Sequence, residues 1–183
     1  MNAFARIGLS AALLLGAASV LTAQDQKDAG QKAEAIDFRK LKEWLPAELN
    51  GIKRTDAKGE RNKLGDLTVS NAQGTYSKGD GENVPRIEVE VTDYAGMKEM
   101  AQGLAMAWTA TEIDKESDDG YEKTIKVKNN PGMETWQKEG KHGEVQLLVG
   151  KRYILTLRTD NVPVEQFKKL AESLALEKLA ELK

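Results

Sequence analysis

Few side chains in this chain have the type and spacing that chemistry needs, and each has a competing plain reading. His142 is the single histidine among 183 residues. It lies in Gly140-Lys141-His142-Gly143. An imidazole there could act as a general base or metal ligand, but between glycines at a hairpin turn it reads as solvent-exposed, and one histidine cannot build a multi-histidine metal site. The chain has no cysteine, which excludes thiol catalysis, disulfides and cysteine-based zinc sites. Asp114-Lys115-Glu116-Ser117-Asp118-Asp119-Gly120 puts carboxylates at the first, third and fifth places, as a calcium loop does. Its sixth place is Asp119 where a glycine must turn, and its twelfth is Ile125 where a bidentate Glu belongs. The segment reads as a solvated acidic connector, so neither a metal nor a cofactor is expected.

Paired carboxylates could run glycosidase chemistry, yet 29 acidic residues guarantee close pairs by chance. Glu88 and Glu90 share one face of a strand beside Arg86, which is ordinary surface patterning. Ser70, Ser77, Ser117 and Ser173 lie in no Gly-x-Ser-x-Gly elbow. Gly79-Asp80-Gly81 lacks the third glycine and following helix of a dinucleotide loop, and no Gly-Lys-Ser/Thr phosphate loop occurs.

The elements that would position these groups follow from periodicity. Asp37 is placed to cap a helix carrying Leu41, Trp44 and Leu45, with Ile36 as a staple; Pro46 ends it and Asn50-Gly51 closes the segment. A weak strand at 52–55 and a longer one at 66–78 precede the turn at 79–83. Residues 86–92 alternate cleanly, Ile87, Val89 and Val91 against Arg86, Glu88, Glu90 and Thr92, as in an antiparallel sheet with one wet face. Asp93 then reads as the cap of a helix with Met97, Met100, Leu104 and Trp108 in one stripe, expected to be core. Gly103 within it costs about 1 kcal/mol against Ala, which a close packing contact would explain.

Strands at 121–128, 133–138, 144–149 and 153–159 are separated by Asn129-Asn130-Pro131-Gly132, by Glu139 to Gly143, and by Gly150-Lys151-Arg152, a meander of hairpins. In the last hairpin a two-residue turn at Gly150-Lys151 would mix polar and apolar residues on both faces. A three-residue loop instead pairs Val149 with Tyr153, Leu147 with Leu155 and Val145 with Leu157, making one face wholly apolar, and a one-residue slip would reverse it. The three-residue loop is therefore expected. Pro163 opens a helix with Phe167, Leu170, Ala171 and Leu174, and a break near Ala175 precedes a short final helix. Thr75-Tyr76-Ser77-Lys78 faintly echoes Thr135-Trp136-Gln137-Lys138. The expected fold class is α+β: one domain, an antiparallel sheet of about six to seven strands with helices packed on one face, in the order α-βββ-α-ββββ-α.

Compartment is read from the first residues. Arg6, an uncharged run over 7–21 and small residues ending at Ala23 have the three parts of a cleaved bacterial signal peptide. The run is short of the roughly 20 residues a membrane span needs. Gln24 stands where a lipoprotein would carry its cysteine, which excludes a lipid anchor. The expected divisions are a signal peptide at 1–23, a polar leader at 24–35 and a domain at 36–183. Losing Arg6 takes the net charge from −2 to about −3; no basic excess for nucleic acid is visible. The chain thus reads as a periplasmic or secreted protein with no membrane span after cleavage.

The expectation for function is a non-enzymatic binding or accessory protein of the bacterial periplasm or envelope, its partner an envelope protein or extracellular ligand. The alternative is an Asp/Glu-dependent hydrolase of cell-wall or glycan material, which requires two carboxyls among Glu88, Glu90, Glu134 and Glu144 to face each other across a cleft. For binding, the final hairpin brings Leu148 opposite Ile154 on an otherwise polar face with Arg158. With Trp136 they would form an anchor patch, since aromatic and Arg side chains dominate many interfaces.

Overall fold

The strongest alternation in the chain, Ile87, Val89 and Val91, lies at the centre of the sheet. A computed structural model describes residues 34–183 apart from 66, 80 and 82. Helix α1 is Phe38–Trp44, followed by β1 (Glu48–Leu49), β2 (Ile52–Leu64), β3 (Leu67–Ser77) and β4 (Arg86–Asp93). Helix α2 is Lys98–Ala110, and β5 (Asp114–Ser117), β6 (Gly120–Val127), β7 (Asn130–Gln137), β8 (His142–Val149) and β9 (Tyr153–Asp160) lead to α3 (Val164–Ser173) and α4 (Leu176–Ala180). All the strands form one antiparallel sheet of nine, in the order β1-β2-β3-β4-β9-β8-β7-β6-β5. The signal segment and all but the last two residues of the leader lie outside the described residues. Ala35, read from sequence as leader, is buried.

The strand number corrects the expected six to seven. The two added strands are β1, only two residues long, and β5; β2 also runs far beyond the expected 52–55, and neither that extension nor β5 has an apolar face. β2 continues to Leu64 through a run in which Thr55 is skipped by the register, a bulge that resets the side-chain alternation. β5 is the segment read as an acidic connector, and its four residues are all exposed. Two turns also differ. Asn50 and Gly51, both at positive φ (49° and 75°), form a two-residue hairpin between β1 and β2. Lys128 and Asn129 (45° and 68°) do the same between β6 and β7, which draws Pro131 and Gly132 into β7. Pro131 is tolerated because it lies beyond the last β7–β8 pair, Gly132 with Leu147.

The register between β8 and β9 is the expected one: Val149 pairs with Tyr153, Leu147 with Leu155 and Val145 with Leu157 across a three-residue loop. With Ile87, Val89 and Val91 these residues are all buried, and α1, α3 and α4 cover them with Leu41, Leu45, Phe167, Leu170, Leu174, Leu176 and Leu179. Asp37 caps α1 by accepting the Arg39 N–H at 2.8 Å, and the terminal helix breaks at Ala175. Tyr76 and Tyr153 donate their hydroxyls to Pro46 O (2.9 Å) and Leu182 O (2.8 Å), tying chain segments on that side to the sheet. Burial pushes both phenols up to about 12.

Helices do not occupy one face alone. α2 crosses β7 and β8 on the side opposite α1, α3 and α4, where it buries Leu148. Its stripe is not core: Ala101 is buried, Leu104 and Trp108 are half-buried and Met100 is exposed. Asp93 does not cap α2 either. The helix begins after a 3-10 turn at Ala95–Met97 and has no side-chain cap. Gly103 meets nothing within 4 Å of where a Cβ would sit, so close packing does not explain it. Gly103→Ala should therefore stabilise the domain by about 0.5–1 kcal/mol through helix propensity, read as a raised urea midpoint with an unchanged slope. The echoed tetrapeptides fall at unlike places, β3 next to central β4 and β7 two strands from central β9.

Candidate functional site

Alternation along β4 sends Glu88, Glu90 and Thr92 to the face away from α1, and the register adds Arg158, Thr156 and Ile154 from β9 and Glu144, Gln146 and Leu148 from β8. Arg158 is the hub of this face. Its Nε donates to Glu144 Oε2 at 2.9 Å, and its Nη1 to Glu88 Oε1 at 3.2 Å and Glu90 Oε2 at 3.4 Å. Gln146 donates to the other Glu144 oxygen at 2.6 Å. Burial opposes the charge on Arg158, yet the carboxylates outweigh it and hold the guanidinium above its ordinary value. One cation among three carboxylates leaves the cluster net negative. Beside it, Lys58, Glu60, Asn71, Gln73 and Glu90 line a shallow depression of about 300 Å³.

His142 is not simply solvated. Its Nδ1 lies 2.5 Å from Asp160 Oδ1, on the same face, one side-chain position along from the Arg158–Glu144 pair. Histidine-carboxylate pairing orients an imidazole, but the remaining nitrogen is turned against the preceding bend. A Cβ at Gly140 would collide with His142 Nε2, and Gly140 holds φ at 67°. The His142 side chain is nonetheless 54% exposed, as its place in the turn led one to expect.

The four residues that sequence nominated for binding are not brought together. Trp136 pairs with Gly143 on the core face, where its ring lies 5.4 Å from that of Phe167. Gly143 makes the room: a Cβ there would approach the Phe167 ring to 2.5 Å. Leu148 is on the outer face but only 2% exposed, while Ile154 is half-buried and Arg158 open. The hairpin register separates Trp136 from the other three, because strand neighbours of odd spacing point to opposite faces.

The carboxylates do not form a catalytic pair across a cleft. Glu88, Glu90 and Glu144 surround one guanidinium on an open sheet face. Glu134 lies on the other face, buried, accepting the Tyr121 hydroxyl at 2.8 Å and facing Lys123 Nζ at 3.1 Å. Burial and that carboxylate drive the Tyr121 phenol well above its ordinary range.

Sequence reasoning missed the surface of α2. After Lys98 and Glu99 the chain carries no charge until Glu112. Met106 is 70% and Met100 39% exposed, and Gln102, Gly103, Ala107 and Ala110 are open as well. A helix with one buried stripe ordinarily puts charges opposite it; the missing charges were a legible signal. Compared with known proteins, the chain matches no family, no curated protein and no solved structure.

Proposed function

We propose that this chain is an exported, non-enzymatic binding protein of the bacterial periplasm or envelope, and that α2 together with the adjoining outer sheet face is its recognition surface. The observation that carries the reading is α2 itself, a helix without charge after its first two residues, resting on the sheet with Met100 and Met106 presented to solvent. Exposed apolar surface of this kind marks interaction sites, and methionine adapts its shape to a partner. The Arg158 cluster on the same sheet face supplies fixed polar groups, as in interfaces that join an apolar centre to a polar rim. The signal-like opening residues support export. The hydrolase reading finds no support in carboxylates gathered on Arg158 or buried against Lys123.

The test is capture from the native envelope fraction. The wild-type protein should retain a specific partner, and Met100→Glu combined with Met106→Glu should lose it. Surface substitutions of this kind stay within about 0.5 kcal/mol of parental stability, so the melting curve serves as the control. Equal capture by both proteins would remove α2 as the recognition surface, and turnover of wall glycans by the wild type would replace binding with hydrolysis.

A further inference from the structure

The two edges of the sheet are closed very differently. β5 is four residues long, Asp114-Lys115-Glu116-Ser117, all exposed; brevity and charge are the usual protection of an edge. The opposite edge belongs to β2, 13 residues long. β1 covers it only at Ile52 and Lys53, and Ala47 O takes the Arg54 N–H at 2.9 Å. Beyond the bulge at Thr55, residues 56–64 pair with β3 on one side and, among the described residues, with no strand on the other. That side offers a row of alternating N–H and C=O groups.

We infer that this edge pairs with the same edge of a second copy of the chain, antiparallel about a two-fold axis at Gly59. The charge pattern selects both the occupant and the register. An antiparallel pair related by a two-fold axis sets residues equally distant from the axis against each other. At Gly59 that places Lys58 opposite Glu60 of the second copy, twice, with Asp56 opposite Asn62, Ala57 opposite Arg61 and Thr55 opposite Lys63; no like charges meet. An axis at Lys58 sets that lysine against itself and Asp56 against Glu60. One at Glu60 or Arg61 also opposes a charge to its own copy, and one at Ala57 sets Lys53 against Arg61 and calls on Lys53 and Arg54, which already pair with Glu48 and Ala47.

Gly59 suits the axis for a separate reason. A Cβ there would lie 2.8 Å from Phe38 Cδ2 and 2.9 Å from Asn71 O, so packing of α1 already demands a glycine, and the two backbones meet with no side chain between them. Lys58 and Glu60 stand on the outer face by register, beside Gln73 and Asn71. Pairing makes one continuous sheet of the two, with the polar depressions of both copies flanking the axis.

Sedimentation equilibrium of the purified chain over a micromolar-to-submillimolar series tests this. The wild type should reach the mass of two copies. Lys58→Glu and Glu60→Lys each place like charges opposite each other at two symmetric points, and each should weaken the dimer roughly tenfold. Combining the two changes in one chain restores opposite charges and should restore the dimer, while a residue contributing only to the fold would not be rescued. Wild-type monomer at every concentration overturns the inference, as does a dimer indifferent to the single changes. Slow amide exchange along 56–64 in such a monomer would instead give the edge to residues upstream of Glu34. The readout is mass, so it succeeds or fails independently of partner capture through α2.

Discussion

Leu155→Asp should unfold this domain at room temperature, and Val89→Asp should do the same. Both side chains are fully buried at the centre of the sheet, where β4 meets β9. Val89 pairs with Leu157 and Leu155 with Val91 and Leu147, every one of them inaccessible to solvent. A carboxylate there has no cation within the apolar row. An uncompensated buried charge costs several kcal/mol even after it protonates or water enters, and the lost apolar burial adds about 1.5–3 kcal/mol. A domain of this class holds about 5–15 kcal/mol in total, so the sum reaches the whole of its stability. Circular dichroism and urea melts check the result, with Lys126→Asp on an exposed position as the control that should melt like the parent. Cooperative native-like melting of Leu155→Asp would mean that the face assigned to the core is wrong.

The second large effect lies at the other end of the same strand. Asp93 is 0% exposed and its carboxylate accepts four hydrogen bonds: from Ile36 N–H at 2.8 Å, Ala95 N–H at 2.9 Å, and Arg152 Nε and Nη2 at 2.8 and 2.7 Å. It thereby joins the entry to α1, the exit of β4 and the loop between β8 and β9. Hydrogen bonding to Asp93 holds the Arg152 guanidinium above its ordinary value, against the opposing effect of burial. Arg152 also donates to Glu34 O at 3.2 Å. Removing one partner of a buried ion pair costs about 3–5 kcal/mol, whereas replacing both with apolar groups is often close to neutral. Asp93→Ala and Arg152→Ala should each lose stability of that order, and Asp93→Leu with Arg152→Met should lose less than either alone. Urea denaturation of the four proteins provides the comparison. Strict additivity would show that Asp93 and Arg152 act separately.

Residue patterns made much of the sheet legible. In 86–92 and in the hairpin from Val145 to Leu157, one apolar face is set against one polar face, and only one register keeps the two apart. The Gly150–Arg152 loop could therefore be chosen against a more common turn. The break at Ala175 was visible because Leu176 and Leu179 fall out of phase with Phe167, Leu170 and Leu174. Asp37 capped as expected because capping needs only the next two residues.

What failed did so for identifiable reasons. β2 carries charge on both faces, so periodicity fell silent after Thr55, and its pairing depends on β3 lying alongside. Asp93 looked like a helix cap because caps are local, while its actual partners, Ile36 and Arg152, are 57 and 59 residues away. Trp136 was grouped with Arg158 because the sequence shows alternation within each strand but not the register between β7 and β8, which sets Trp136 opposite Gly143 on the core face.

The sequence by itself determined where strands and helices alternate, which residues line the main core and how β8 meets β9, since each depends on short-range periodicity and on the cost of wetting apolar side chains. Its opening residues are also the whole basis for reading the chain as exported. The tertiary structure decided the nine-strand order, the placement of α2 on the second face, the gathering of three carboxylates on Arg158 and the edge of β2 that no strand pairs among the described residues. Those features depend on pairing between distant segments, whose energies come into being only when the chain has brought them together.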